Sequence, residues 1–481
     1  MKWLALVGLA GCAQLFGIDP TTGANDAPPM TAGAVAEVQR VSVGATVLTA
    51  PEDLTLGSDT LEFLVPDAAG TGGYDHVAAT QGPTGTWTAP IAAGNPLVDF
   101  TLNGARHIWA FPTRDLKIGD VRLEHPDATP ADPASSLAVS VSLPTAVAAG
   151  ESFEILEVGP WLSAALDATD PLSQVVMTTS MTQLSGATSL AALTPADKIF
   201  ALRYLSGAAL TGVFEADGFA ETAGANTVSG TMAAVTGDQS FGATIDPTTQ
   251  ATRFAAVRPA VGTPLFSWSV FASPGAMQGT TTGPLLASGA VAMADTAIAA
   301  MYSGAFASFG WSPLFDYAAS ESRSVTVNGL TLELSTSSTS LVIPDASNPT
   351  LDLPGAIAQT ISLDTTPLST DNTTVTIDRT MPATIQIVVD RPGSIMTRAT
   401  LYQVVPNDVT TATLSYVLDV LSNDPTTLAI PSDALVAGMT YTIAITCYAA
   451  GYTGAATGDL QTTSPPFHYA TTYSGVFTVN P

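Results

Sequence analysis

The run Val325-Thr-Val-Asn-Gly-Leu-Thr-Leu-Glu-Leu334 decides the fold class of this chain. Apolar and polar residues alternate in both arms, and a period of two places one set of side chains on a single sheet face. Asn328-Gly329 between the arms is the pair that best tolerates the positive φ of a tight hairpin turn. The same alternation recurs outward in both directions. Toward the N-terminus it appears in Thr263–Phe271, Phe200–Leu205, Leu137–Leu143, Arg106–Phe111 and Val41–Leu48, with turn chemistry at 71–73 and Gly82-Pro83. Toward the C-terminus it appears in Ala383–Val389, Ala399–Val405 and Ala412–Leu418. The most apolar internal stretch, Pro284 to Trp311, is broken by Asp295 and by several Gly and Ser residues, so it reads as buried strands and not as a membrane span. The expectation is an all-β chain of tandem antiparallel β-sandwich domains.

At ~150 residues per domain, 481 residues allow roughly three domains. The Pro/Asp/Ala-rich stretch His125–Pro133 reads as a linker. The expected divisions are a β-sandwich at 38–133, a large β region at 134–360 built as one domain or two, and a third unit at 361–481.

The first twelve residues read as a secretory leader: Lys2 is positive, Trp3 to Ala10 is apolar, and small residues precede Cys12. Leu9-Ala10-Gly11-Cys12 resembles the lipobox of bacterial lipoproteins. That resemblance implies removal of residues 1–11 as a signal peptide, lipid on Cys12, and attachment to a membrane outside the cytoplasm. Acyl chains contribute ~0.8 kcal/mol per buried CH₂, so several together hold firmly. Residues 12–37 are expected to form a flexible tether, since the Pro/Gly/Thr/Asp-rich part through Pro29 has no hydrophobic period. Ala13 stands where aspartate favours inner-membrane retention among such lipoproteins, so the resemblance points to the outer membrane.

Lys and Arg number 14 against 41 Asp and Glu, and the resulting net charge of −27 disfavours nucleic acid and anionic headgroups as partners. Charged residues make up only 11%, so the surface is built mostly from small neutral and hydroxyl side chains. With Cys12 taken by lipid, Cys447 is left without a disulfide partner. In Tyr441-Thr-Ile-Ala-Ile-Thr-Cys-Tyr448 it shares a face with Tyr441, Ile443 and Ile445 and reads as a small core residue.

Leu435-Val-Ala-Gly-Met-Thr-Tyr441 resembles the entry to the penultimate strand of fibronectin type III domains, where a leucine, a Pro-Gly pair and a tyrosine stand at this spacing. Ala437 replaces the usual proline. The resemblance covers 361–481 and implies an immunoglobulin-like sandwich in which Tyr441 is a structural corner, its ring plugging the end of the sandwich and its hydroxyl bonded to backbone just upstream.

Catalytic and metal motifs are missing from the sequence: there is no Gly-x-Ser-x-Gly, His-Glu-x-x-His, P-loop or Cys-x-x-Cys. No catalytic residue, metal site or cofactor is expected. Asp75-His76 could be a fragment of a dyad, but neighbours on a strand point to opposite faces. His107 shares a face with Trp109 and Phe111 and reads as packing, while His125 reads as a loop residue. Asp167, Asp170 and Asp371-Asn372 offer oxygens without the order of a calcium loop, so they read as solvated turns. Paired carboxylates for glycoside hydrolysis are spatial and leave no trace in spacing.

Ser464-Pro-Pro-Phe-His-Tyr469, with Tyr473, has two readings. One is a binding loop carrying Phe467, His468, Tyr469 and Tyr473 at the end of a sandwich. The other is a final-strand extension with Phe467 and Tyr469 packed inside. The expected role is a lipid-anchored surface protein that binds or supports a surface protein or polysaccharide. The alternative is an anchored hydrolase, acting on glycans, with its carboxylates dispersed among loops.

Overall fold

The computed structural model describes residues 34–480 apart from short interruptions, the longest at 67–73, 123–134, 168–173, 181–191 and 274–282. The deciding hairpin is formed by Ser312–Val327 and Leu330–Val342, paired from Val327 with Leu330 out to Phe315 with Val342. Asn328 and Gly329 at its tip both have positive φ, 52° and 82°, as the turn requires.

The described residues are nearly all β, and 19 of their strands join one continuous sheet. Neighbour to neighbour, the pairing runs from Leu162–Asp167 through 152–158, 198–205, 209–217, 285–291, 265–273, the long hairpin, 463–473, 440–452, 396–406 and 412–422. It then passes to Ala105–Ala110, 97–102, 61–66 and finally Tyr74–Ala78. Pairing therefore crosses both expected divisions, near 133 and near 360. Strand 330–342 lies beside 463–473, and 105–110 lies beside 412–422.

Smaller sheets pack on this ribbon as second layers, which makes the architecture a set of sandwiches. Strands 358–363, 383–389 and 427–430 face 396–406, 412–422 and 440–452 across a core of Ile361, Ile385, Leu401, Leu418, Ile443 and Ile445. The opposite face of those same C-terminal strands is also covered. Met396, Leu421, Tyr448 and Phe467 pack there against Phe63, Val98 and Phe100 from the N-terminal strands. At the other end of that face, the hairpin tip places Val325, Val327, Leu332 and Leu334 against Val404, Leu414 and Tyr473. Strands buried on both faces contribute to the mean hydropathy of +0.31, and among the described residues no helix is long and apolar enough to cross a membrane.

Several features differ from the sequence expectations. Six strand pairs among the described residues are parallel, 105–110 with 412–422 among them. An α-helix, Pro247–Ala255, begins at Asp246, whose carboxylate accepts the Thr249 N–H at 3.0 Å as an N-cap. Its Arg253 is buried, paired with Asp390 and bonded to the Leu353 and Gly355 carbonyls. Of its two readings, Ser464–Tyr473 takes the strand extension and not the binding loop: it lies within the strand Thr463–Tyr473, paired on both sides, because its alternation continues the sheet and Phe467 fills the core at 1% exposure. Strand Ala34–Val43 starts inside the stretch expected to be tether. Cys12, the leader, the linker 125–133, His125 and Asp170 lie outside the described residues.

Candidate functional site

The N-terminal strands and the C-terminal sandwich meet at the parallel seam between Ala105–Ala110 and Ala412–Ser422. Alternation along 105–110 sends its residues to two sides. Ile108, fully buried, enters the C-terminal core, while His107 and Trp109 face the N-terminal core and both contact the Phe100 ring. His107 Nδ1 lies 2.8 Å from Asp419 Oδ1, its neighbour across the seam. Asp419 is 2% exposed and also pairs with Arg398. Burial works against the charge on Arg398, yet the Asp419 carboxylate overrides it and holds the guanidinium above its ordinary pKa. The His107, Asp419 and Arg398 group ties strands together.

On the Ile108 side, Arg106 makes a forked pair with Asp99, at 2.6 and 3.1 Å, and reaches Asp433 at 3.2 Å. Asp99 is 5% exposed, so this pair is desolvated and directional. Burial disfavours the Arg106 charge, but Asp99 and Asp433 hold it above its ordinary value. The same sheet face extends past the edge of the C-terminal sandwich, where register aligns Leu64 with His76 and Pro66 with Tyr74.

A groove of about 290 Å³ opens over that extension. Leu64, Tyr74 and His76 line it from the sheet, and the loops carrying Arg379–Pro382 and Pro431–Asp433 form its walls. His76 is half exposed, and its Nδ1 meets Glu62 at 2.7 Å across the strand pair. Burial raises the pKa of Tyr74, so its hydroxyl keeps its proton at neutral pH. Asp433 is 67% exposed in its side chain despite the contact with Arg106.

The walls are fixed from behind. Arg379 donates to the Ser432 and Leu435 carbonyls through one terminal nitrogen, and Ser432 Oγ returns a bond to the Arg379 carbonyl at 3.0 Å. Asp378 accepts the Thr380 N–H at 2.9 Å and the Thr380 hydroxyl at 2.6 Å, closing the first loop as an Asx turn. The second loop leads into buried Leu435 and then exposed Val436, whose N–H donates to the Tyr441 hydroxyl at 2.9 Å. Tyr441 is 2% exposed and packs on Phe477. A side chain of the C-terminal core thus holds the base of one groove wall.

No protein-family model and no curated protein matches this chain.

The residues singled out from sequence are dispersed. Phe467 and Tyr469 join Tyr448 and Tyr452 in one aromatic cluster on the inner side of the ribbon. Tyr473 contacts Tyr402 beside the hairpin tip. His468 points from the same strand the other way, half-buried, and burial lowers its pKa. Cys447 is fully buried and its thiol is pushed up to about 11 by desolvation, which suits a core residue. Asp371 is occupied by Arg323 and by the Val476 N–H. Among the described residues no cluster of three or more His, Cys, Asp or Glu forms a metal site.

Of the groove, sequence reasoning touched only Asp75-His76. The partner of His76 is Glu62 on the neighbouring strand. Tyr74, Arg379 and Asp433 come together through the docking of the N-terminal strands on the C-terminal ones, over more than three hundred positions of chain, and local patterns do not encode it.

Proposed function

We propose that this protein is a lipid-anchored extracytoplasmic binding protein, held to the outer membrane through Cys12, with residues 361–481 as a fibronectin type III-like unit. The leader and Leu9-Ala10-Gly11-Cys12 support the address. The binding role rests on one observation: a groove lined by Tyr74, His76, Arg379 and Asp433 whose walls are locked by side-chain bonds. Preformed concave sites with an apolar lining and a few fixed polar groups bind ligands with little ordering cost. The partner class is a surface polysaccharide or protein.

The test has two arms. Wild-type protein expressed in a bacterium with an outer membrane should incorporate labelled palmitate and partition into detergent, and Cys12→Ser should do neither. Aqueous partitioning of unlabelled wild-type protein overturns the anchor. In the second arm, immobilised protein should retain envelope material and lose it on substitution of groove residues. Turnover in a hydrolase screen, abolished by replacing one or two acidic residues, would overturn the binding role in favour of an enzyme.

A further inference from the structure

We infer that the groove between Tyr74 and Asp433 takes an uncharged saccharide unit. The inference rests on the binding role proposed above and names the class of ligand. At about 290 Å³ the groove sits near the lower end of the ~300–1,000 Å³ typical of small-molecule sites, so it accommodates one pyranose-sized ring. Its lining offers two kinds of contact that a sugar uses together. Tyr74, Pro382 and Pro431 give flat apolar surface for the C–H face of a ring.

Around that surface stand polar groups of both senses. The largely exposed Asp433 carboxylate accepts hydrogen bonds, and Arg379, whose Nη1 is spent on the wall carbonyls, lines the same space with His76 and Thr380. Adjacent hydroxyls on a pyranose act as donor and acceptor at once, which matches this mixture. A purely anionic ligand matches it poorly: Asp433 faces the groove, and the chain as a whole carries a net charge of −27. A purely apolar ligand would desolvate the largely exposed Asp433 carboxylate and leave it only Arg106 as a partner. The groove is open on one side, so a unit within or at the end of a longer neutral glycan can enter.

The experiment is saturation-transfer NMR on the full mature chain with glucose, galactose, mannose and N-acetylglucosamine, each at millimolar concentration. At least one sugar should receive magnetisation, and its apparent affinity should fall roughly tenfold or more in Tyr74→Ala and in Asp433→Asn. Val409→Ser, on an exposed turn far from the groove walls in sequence, should bind as wild type. Thermal unfolding of each variant checks the fold. Should Tyr74→Ala fail to fold, Asp433→Asn alone decides, because its side chain is largely exposed. Transfer to none of the four sugars, or equal transfer in wild type and Asp433→Asn, overturns the saccharide assignment. Capture of an envelope protein through the groove with no sugar transfer overturns it too, and leaves the binding role standing.

Discussion

His107 Nδ1 and Asp419 Oδ1 lie 2.8 Å apart although 312 positions separate them in the chain. With Arg398 on the other oxygen, Asp419 bridges the seam between the N-terminal strands and the C-terminal sandwich. Asp419→Ala leaves Arg398 without its carboxylate partner and His107 without its acceptor. Removal of one member of a buried charge pair costs about 3–5 kcal/mol. Denaturant unfolding should show a loss in that range, and a smaller loss of about 1–3 kcal/mol for His107→Ala, whose ring is partly exposed. A change under about 0.5 kcal/mol for Asp419→Ala would mean that the seam is not held by this network.

Ile108 is the fully buried side chain by which the N-terminal region enters the C-terminal core, with Leu97 packed beside it. It lies among residues of 356–479. Ile108→Ala should destabilise by about 2–5 kcal/mol through lost burial and the cavity left behind. Residues 361–481 produced alone should show weakened protection of the 412–422 amides in hydrogen exchange, since their seam partner is gone. Equal protection in the fragment and the whole chain would show that the sandwich is complete without the added strand.

Tyr441→Phe keeps the ring and removes only the hydroxyl that accepts the Val436 N–H. The expected cost is about 1 kcal/mol. Because Val436 follows the groove wall, the Ser432 and Asp433 amide resonances should shift in the same variant. Unchanged stability and unchanged resonances would separate the corner from the wall.

Asp316 carries the clearest pH dependence. Its carboxyl lies on the central hairpin strand, Oδ1 has no hydrogen-bond partner, and burial raises its pKa from 3.8 to about 7. An acid with a raised folded-state pKa is compatible with the fold while neutral, below its unfolded value. As pH climbs from about 4 to about 7 the unfolded chain ionises first and stability is lost, by roughly 4 kcal/mol when the shift is fully expressed. Asp316→Asn removes this titration. Its melting temperature should therefore exceed that of wild type at pH 8 and converge with it near pH 4. Parallel curves for the two proteins across that interval would assign the pH dependence to other groups.

The class of fold was legible because alternation and turn chemistry are local. Asn328-Gly329, the arms around it, and the 383–389, 396–406 and 412–422 strands could all be read from a period of two. The helix at 247–255 could have been read from Asp246-Pro247 and the Thr249 that follows, an N-cap with proline at the first helical position. Partners across the sheet were not legible, since a strand of alternating residues does not say which neighbour it will meet. That is why Ser464–Tyr473 had two readings and why the groove stayed hidden. Tyr74 and Asp433 are unremarkable where they stand in sequence, and the docking of the N-terminal strands on the C-terminal ones brings their elements together.

The seam also imposes an order of events on biosynthesis. Strand 105–110 is made early, yet the edge it lies against is complete only once residue 422 has left the ribosome. Such distant pairing is slow to close. Until it closes, one side of 105–110 and the bare edge of 412–422 present unpaired backbone that invites contact with other chains. A truncated product would keep that sticky edge permanently. Chaperones and proteases that recognise such edges thereby distinguish finished molecules from unfinished ones, and a finished chain withdraws itself from their attention by its last long-range docking step.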